Sequence, residues 1–487
     1  LFSTLEKDEN LTASTVSGSV GTASRTLISG AGLSWLGLES VVAIDRRRFL
    51  SGAAGACGAL ASSQFAPVEA AAQLSSDARS LPPPEQSGID HIVIVTMENR
   101  SFDHFLGWLP GADGRQAGLR YVDTHGVSHA TYPLAPDYQG CPHPGPDHSY
   151  QGSRIDYNHG RMDGFLKNPA NDIFTIGYYR QKDMPFYAAL ALNYTTLDHY
   201  FCSMLGPTFP NRIFQYAAQT DRLDDSVSLS HLPTILDRLN NAGVSVKYYF
   251  NNVPFLALWG LKYIFHTATY GDFLSDAAAG SLPAVSYVDP VYTVLDDGTG
   301  NDDHPHADIR RGDAFLARTF HAVAHGPGWK NTVFIVNFDE NGGFFEHVPP
   351  PRAAAPNGVD PDIVNGRTLL GPRVPTVIAS PFTRGTPAKP RVIHSIFDHT
   401  SALKLIEWRW RLKPLTKRDA SIENLAQALN FTAPNAAVPW LPSPSAPAPR
   451  PCFALNSAAT AAEADASQLT QFGRLARSDL MKGWPIP

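Results

Sequence analysis

Cysteine and methionine are scarce in this chain of 487 residues, with 4 and 5 copies, and charged side chains make up only 17% of it. Four widely spaced cysteines (Cys57, Cys141, Cys202 and Cys452) exclude a disulfide scaffold and lack the paired spacing of a zinc site. Basic residues are outnumbered, 39 Lys and Arg against 45 Asp and Glu. The positive excess of a dedicated nucleic-acid binder is therefore missing, and nucleic acid is set aside as a partner. No apolar run reaches the roughly 18 residues that a membrane-crossing helix needs. What is abundant is hydrophobic: 43% of the residues, enough to bury a large core and too many for a disordered chain.

The N-terminal region reads as a targeting address. Residues 45–72 join Arg46, Arg47 and Arg48 to Phe49 and Leu50, then run through small residues to Ala70-Ala71-Ala72. This resembles a twin-arginine export signal with an A-x-A cleavage site, and implies a protein exported already folded, to the periplasm, the cell envelope or the medium. Residues 1–44 precede it as a leader of unassigned role, longer than a usual basic region and opening on Leu1. Cys57 leaves with the signal, so Cys141, Cys202 and Cys452 permit at most one intramolecular disulfide.

Past a proline-rich lead-in, apolar runs recur at 92–97 (IVIVTM), 244–250 (VSVKYYF), 332–338 (TVFIVNF) and 376–380 (TVIAS). Helical patterns lie among them at 233–243 and 394–410. Near-continuous apolar strands separated by helices predict an α/β domain over 73–430, with a mainly parallel sheet sandwiched by helices. A Pro- and Ala-rich stretch over 431–451 reads as a linker, followed by a helical tail over 452–487 with an amphipathic helix near 461–480.

Two of the strands end in polarity. Met97 is followed by Glu98-Asn99, and Phe338 by Asp339-Glu340 and the turn-forming Asn341-Gly342-Gly343. Carboxyl ends of parallel strands open onto the ligand crevice, so the two pairs can converge there. Three carboxylates and an amide packed together repel unless a cation joins them, and a hard divalent ion suits such oxygen ligands. Either pair taken alone also fits a solvated strand end or a helix cap. A third element, GPTFPNR (206–212), places Thr208 before a helix predicted to begin at Pro210 or Asn211. A hydroxyl there faces unpaired backbone N–H groups suited to a phosphoryl group, and is a nucleophile if a metal lowers its pKa; it is equally a helix cap. His143, His148, His304, His306 and His347 supply candidate donors for phosphoryl oxygens and for a leaving group.

Six segments in order, ENRSFDHFLG (98–107), MDGF (162–165), GPTFPNR (206–212), NDDHPHADIRRGDAFL (301–316), FDENGGFFEHVPPP (338–351) and GPRVPTVIASPF (371–382), resemble a family of bacterial and plant phosphoesterases. It includes non-haemolytic phosphatidylcholine-type phospholipases C and an acid phosphatase branch. The resemblance implies an alkaline-phosphatase-like fold and one divalent metal ion, of calcium, magnesium or manganese type. It implies Glu98, Asn99, Asp339 and Glu340 as metal ligands, and Thr208 as both ligand and transiently phosphorylated nucleophile. His148 and His304 look like the phosphoryl-binding or acid/base histidines, with His304 protonating the departing alcohol; Asn211 is expected at the phosphate, and His347 is the remaining candidate. Two departures stand out: Asn341 replaces the family's usual His after Asp-Glu, and Glu346 stands where Asp is common. Thr in this motif is similar to the phospholipase C branch, whereas the acid phosphatase branch uses Ser.

The expected partner is thus a phospholipid or a small phosphate ester. Aromatic segments at 108–110, 174–180 and 184–187 offer contacts to choline or lipid chains and a peripheral contact with a membrane. The competing expectations are a broad exported acid phosphatase, and an exported protein that binds phosphorylated ligands without turnover.

Overall fold

The computed structural model describes residues 80–452 and 469–485. The leader and the export-signal segment lie outside the described residues.

Eight strands form the main sheet: β1 (His91–Met97), β2 (Thr195–Leu197), β3 (Val246–Phe250), β4 (Thr267–Thr269), β5 (Val285–Val288), β6 (Thr332–Phe338), β7 (Val377–Ala379) and β8 (Arg391–Ile393). Their spatial order is β8-β2-β7-β6-β1-β5-β3-β4. β1 runs parallel to both β5 and β6, and β3 parallel to β5 and β4. The run at 376–380 is the exception: as β7 it lies antiparallel to both β6 and β2. The class is therefore α/β with a mainly parallel sheet.

The register explains the burial on both faces. Val93 pairs with Phe334 and Ser286, so these three side chains share one face, and the next residue of β5, Tyr287, points to the other. Phe320 of the helix Ile309–Ala324 packs edge-on against Phe334. Tyr216 of the helix Thr208–Ala217 packs against Tyr287 with ring centroids 4.7 Å apart. Helices thus cover opposite faces, and β1 and β6 need apolar residues at nearly every position rather than at alternate ones.

The helical patterns read from sequence fall at Ile235–Asn241 and His399–Trp410, each opened by a capping side chain, Thr234 and Asp398. The C-terminal expectations change. Residues 431–451 are not a free linker: Asn435 N–H donates to Pro381 O, Trp329 Nε1 to Ala436 O and Arg311 Nη1 to Pro447 O, so the segment is strapped to the domain. Of the tail helix expected near 461–480, residues 461–468 lie outside the described residues; beyond them a helix spans Gln471–Ala476, and it is part of the same compact unit as the domain. Phe472 stacks on Tyr292 with centroids 3.5 Å apart and meets Phe209 edge-on. A disulfide joins Cys141 to Cys452, and Cys202 is free and buried.

Helix His399–Trp410 also holds a cost. Glu407 is 4% exposed, and burial, followed by Asp419, pushes its carboxyl up to about 10. Below the unfolded value near 4.3 both states hold the proton, and above it the unfolded chain ionises while the folded one does not; stability is full at low pH and falls as pH rises toward 10. Glu407→Gln is expected to raise stability by about 1–3 kcal/mol at pH 8 and to change little at pH 4. Thermal unfolding at the two pH values checks this, and equal effects at both would contradict it.

Candidate functional site

Because Met97 and Phe338 are register partners, β1 and β6 end side by side and deliver Glu98-Asn99 next to Asp339-Glu340. Asn99 then turns sharply, with φ of 57°, a conformation asparagine tolerates better than most residues. Its N–H donates to Asp339 Oδ1 at 3.0 Å, which also accepts from Glu340 N–H at 2.7 Å. Its side-chain Nδ2 donates to Glu340 Oε1 and, at 3.2 Å, to Thr208 Oγ1. Gly342 closes the corner: its N–H donates to Glu340 Oε2 at 2.7 Å, and a Cβ there would lie 2.1 Å from Asn99 O.

Thr208 opens its helix rather than preceding it; the cap position belongs to Pro207, and the first-turn N–H of Phe209 donates to Asp225 Oδ1 at 2.7 Å. The hydroxyl is therefore not spent as a cap. Thr208 is 0% exposed, and Gln471 Nε2 donates to its Oγ1 at 3.1 Å. Asn211 does not face the hydroxyl group. Its Oδ1 accepts from Met204 N–H at 3.0 Å, and its Nδ2 serves the carbonyls of Met204, Gly206 and Pro207, so both amide atoms brace the turn that presents Thr208.

The charge balance depends on Arg212, one helical turn further on. Its Nε donates to Asp339 Oδ2 at 2.9 Å, Nη2 lies 3.1 Å from Glu98 Oε1, and Nη1 reaches Tyr292 Oη at 2.6 Å and Asp289 Oδ1 at 3.5 Å. Burial, followed by Asp339, raises the Glu98 carboxyl well above the usual carboxylate range against the pull of Arg212. Burial likewise pushes Glu340 up to about 8, opposed by His148. Sequence reading missed Arg212, although it ends the GPTFPNR segment, because the converging acids were balanced there by a metal ion alone. It also missed His399, whose Nε2 lies 2.7 Å from Asp339 O, and Gln471.

One guanidinium does not satisfy this set. Among the described residues Arg212 pairs with Glu98, Asp339 and Asp289 and leaves Glu340 to His148 3.8 Å away, while Asn99 Oδ1 is buried with no hydrogen-bond partner. An orphaned amide oxygen beside a buried carboxylate is what a hard divalent cation uses, so the residues present fit such an ion.

The histidines separate into two groups. His148 Nε2 lies 3.8 Å from Glu340 Oε1, and its ring centroid is 6.4 Å from that of His304. Burial opposes charge on both rings. Glu340 outweighs it at His148, which is raised above the ordinary histidine range, while His304 stays below that range. Charge is thus favoured on His148 and disfavoured on His304. His347 belongs elsewhere: its Nδ1 lies 2.5 Å from Asp103 Oδ2, and its Nε2 3.1 Å from Asp113 Oδ1. Asp103, Glu346 and His347 have metal-ligand spacing, yet Arg373 Nη2 lies 2.6 Å from Glu346 and 3.3 Å from Asp103 and already supplies a cation. His143 pairs with Asp172, and His306 with Asp296.

A deep hydroxyl at a helix start, linked through Asn99 and Gln471 to carboxylates from two strand ends, one of them near a histidine pair, fits a site for phosphoryl chemistry on a parallel-sheet scaffold; the protein is a phosphoric ester hydrolase. The Phosphoesterase family matches residues 89–413, and the chain belongs to that family. Phospholipase C B of Mycobacterium tuberculosis is 32% identical over 443 residues, covering 75% of this chain and 81% of that protein. Non-specific phospholipase C6 of Arabidopsis thaliana is 32% identical over 372 residues, covering 69% and 71%. A solved protein of the alkaline phosphatase superfamily from Vibrio parahaemolyticus superposes with a TM-score of 0.33 at 11% identity, covering 68% of this chain and 70% of that one, a superposition too weak to place the fold by itself.

Removing the central cation leaves buried acids unpaired. Arg212→Met is expected to cost about 3–5 kcal/mol of stability. Urea unfolding measures it, and a loss under about 1 kcal/mol, the range of an exposed pair, would remove Arg212 from this role.

Proposed function

We propose that the chain is a metal-dependent phospholipase C that cleaves a phospholipid into diacylglycerol and a phosphorylated head group through phospho-Thr208. The observation that carries the reading is the Thr208 hydroxyl held 3.2 Å from Asn99 Nδ2, whose other acceptor is Glu340. That contact ties the nucleophile to both strand ends. Relatives named phospholipase C on each side of the bacterial and plant division support the substrate class.

Glu98, Asn99, Asp339, Glu340 and Thr208 are the residues that would hold a divalent cation, Asn99 through the oxygen left without a partner. When bound, such an ion lowers the pKa of a neighbouring hydroxyl and offsets phosphoryl charge. Thr208 loses its proton to solvent, and its Oγ forms a bond to phosphorus as the bond from phosphorus to the lipid alcohol breaks. The departing alcohol oxygen takes a proton from the histidine pair, at His148, whose Nε2 lies 3.8 Å from Glu340, in place of the His304 expected from sequence. Water then attacks phosphorus and gives a proton back to the pair. Thr208 Oγ leaves with the bonding electrons and is reprotonated.

Thr208→Ala should lower kcat on phosphatidylcholine by on the order of 10³-fold or more, with binding retained. Chelator treatment should abolish turnover, and calcium, magnesium or manganese should restore it. Wild-type rates for the variant would sink the phospho-threonine route. Phosphate release from simple monoesters without diacylglycerol from the lipid would assign the chain to phosphatase chemistry instead.

We also propose an exported protein. Arg46, Arg47, Phe49 and Leu50 support this, as does the Cys141–Cys452 disulfide, a bond that persists in oxidising compartments. After removal of the segment containing Cys57, thiol titration should find Cys202 alone, and only once the chain is unfolded. Reactive Cys141 and Cys452 in protein collected outside the inner membrane would contradict the assignment.

A further inference from the structure

Gln471 lies beyond residue 413, outside the segment that matches the family, and on a short helix following the proline-rich strap. Its Nε2 nevertheless reaches Thr208 Oγ1 at 3.1 Å and Glu98 Oε2 at 3.5 Å. Asn99 does the same from the opposite end of the sequence, its Nδ2 bridging Thr208 Oγ1 and Glu340 Oε1. Two carboxamides therefore bracket the hydroxyl oxygen, each shared between it and a buried carboxylate. Both contacts are made by Gln471 Nε2, so the amide orientation that serves Glu98 is the one that serves Thr208.

The amide is held where it is by more than this contact. Thr470 Oγ1 donates to Thr293 O at 2.6 Å and accepts from Gly473 N–H, which fixes the start of the helix. Phe472 stacks on Tyr292, whose hydroxyl is hydrogen-bonded to Arg212. The aromatic ring that seats the C-terminal helix thus also braces the guanidinium beneath the site, and Gln471 is 5% exposed.

We propose that Gln471 is a catalytic residue supplied by the C-terminal segment, an N–H donor to Thr208 Oγ that stabilises negative charge on that atom. The inference rests on the phospho-threonine reading above. In the first step Oγ carries negative charge until its electron pair forms the bond to phosphorus; in the second it departs with that pair as water adds. The same donor serves both, since charge builds on the same oxygen in each direction. Asn99 alone leaves the oxygen with one donor, and removal of a preorganised donor of this kind costs about 10²-fold in rate.

The test uses the full chain with rapid-quench measurement of phosphoenzyme formation and decay on a lipid substrate. Gln471→Ala, and Gln471→Met, which keeps the volume, should each lower both rate constants by about 100-fold or more. KM and Tm should stay near wild type. Thr208→Ala is run beside them. If Thr208→Ala keeps full activity, the phospho-threonine reading falls and this one with it. If Thr208→Ala is inactive while Gln471→Met turns over at the wild-type rate, only the role of Gln471 is overturned. A rise in kcat for Gln471→Met would show an obstructing helix and overturn it as well, and so would a rate loss accompanied by a matching fall in Tm in both variants.

Discussion

A single buried guanidinium makes this site possible. Arg212, 1% exposed, spans Glu98, Asp339 and Asp289, and its Nη2 also donates to the carbonyls of Thr96 and Met97 at the end of β1. Carboxylates gathered at the ends of two adjacent strands would force one another to protonate without it. Because Arg212 and Thr208 lie one turn apart on the same helix, the side chain that neutralises the acids also fixes where the hydroxyl stands. Positioning and charge compensation are one interaction.

The scaffold around it follows from the same arrangement. β1 and β6 are parallel neighbours, so their polar ends emerge on the same edge, and the helix carrying Thr208 crosses the face marked by Tyr287 to meet them. The C-terminal segment completes the enclosure. A strap fixed by backbone hydrogen bonds, a disulfide at its end and a stacked Phe472 bring Gln471 to an oxygen 263 residues away in sequence.

Much of the site was legible because of one contrast: a strand buried on both faces has no structural need for Glu98 or Asp339 immediately past its end, so those residues point to chemistry. Thr208 was legible from the Gly-Pro turn before it. Asn211 and His347 show the limit. Both sit in the right segments and have the right chemistry, yet Asn211 braces a turn and His347 answers Asp103 and Asp113, since a residue type within a motif does not specify the direction of its side chain. The histidine pair was found by type, but which ring its surroundings favour for charge depends on Glu340 being near His148.

The amino-acid sequence by itself determined the α/β class, the strands that end in ligand-type residues and the family, because these rest on local periodicity and on ordered motifs. It did not determine the reversed direction of β7, the role of Arg212 or the arrival of Gln471. Those depend on which distant segments become neighbours, and that is decided by burying two sheet faces and by matching charge inside a site with little water to screen it. A lone glutamine on a short C-terminal helix reads as a surface residue in one dimension; only packing places its amide on the Thr208 oxygen.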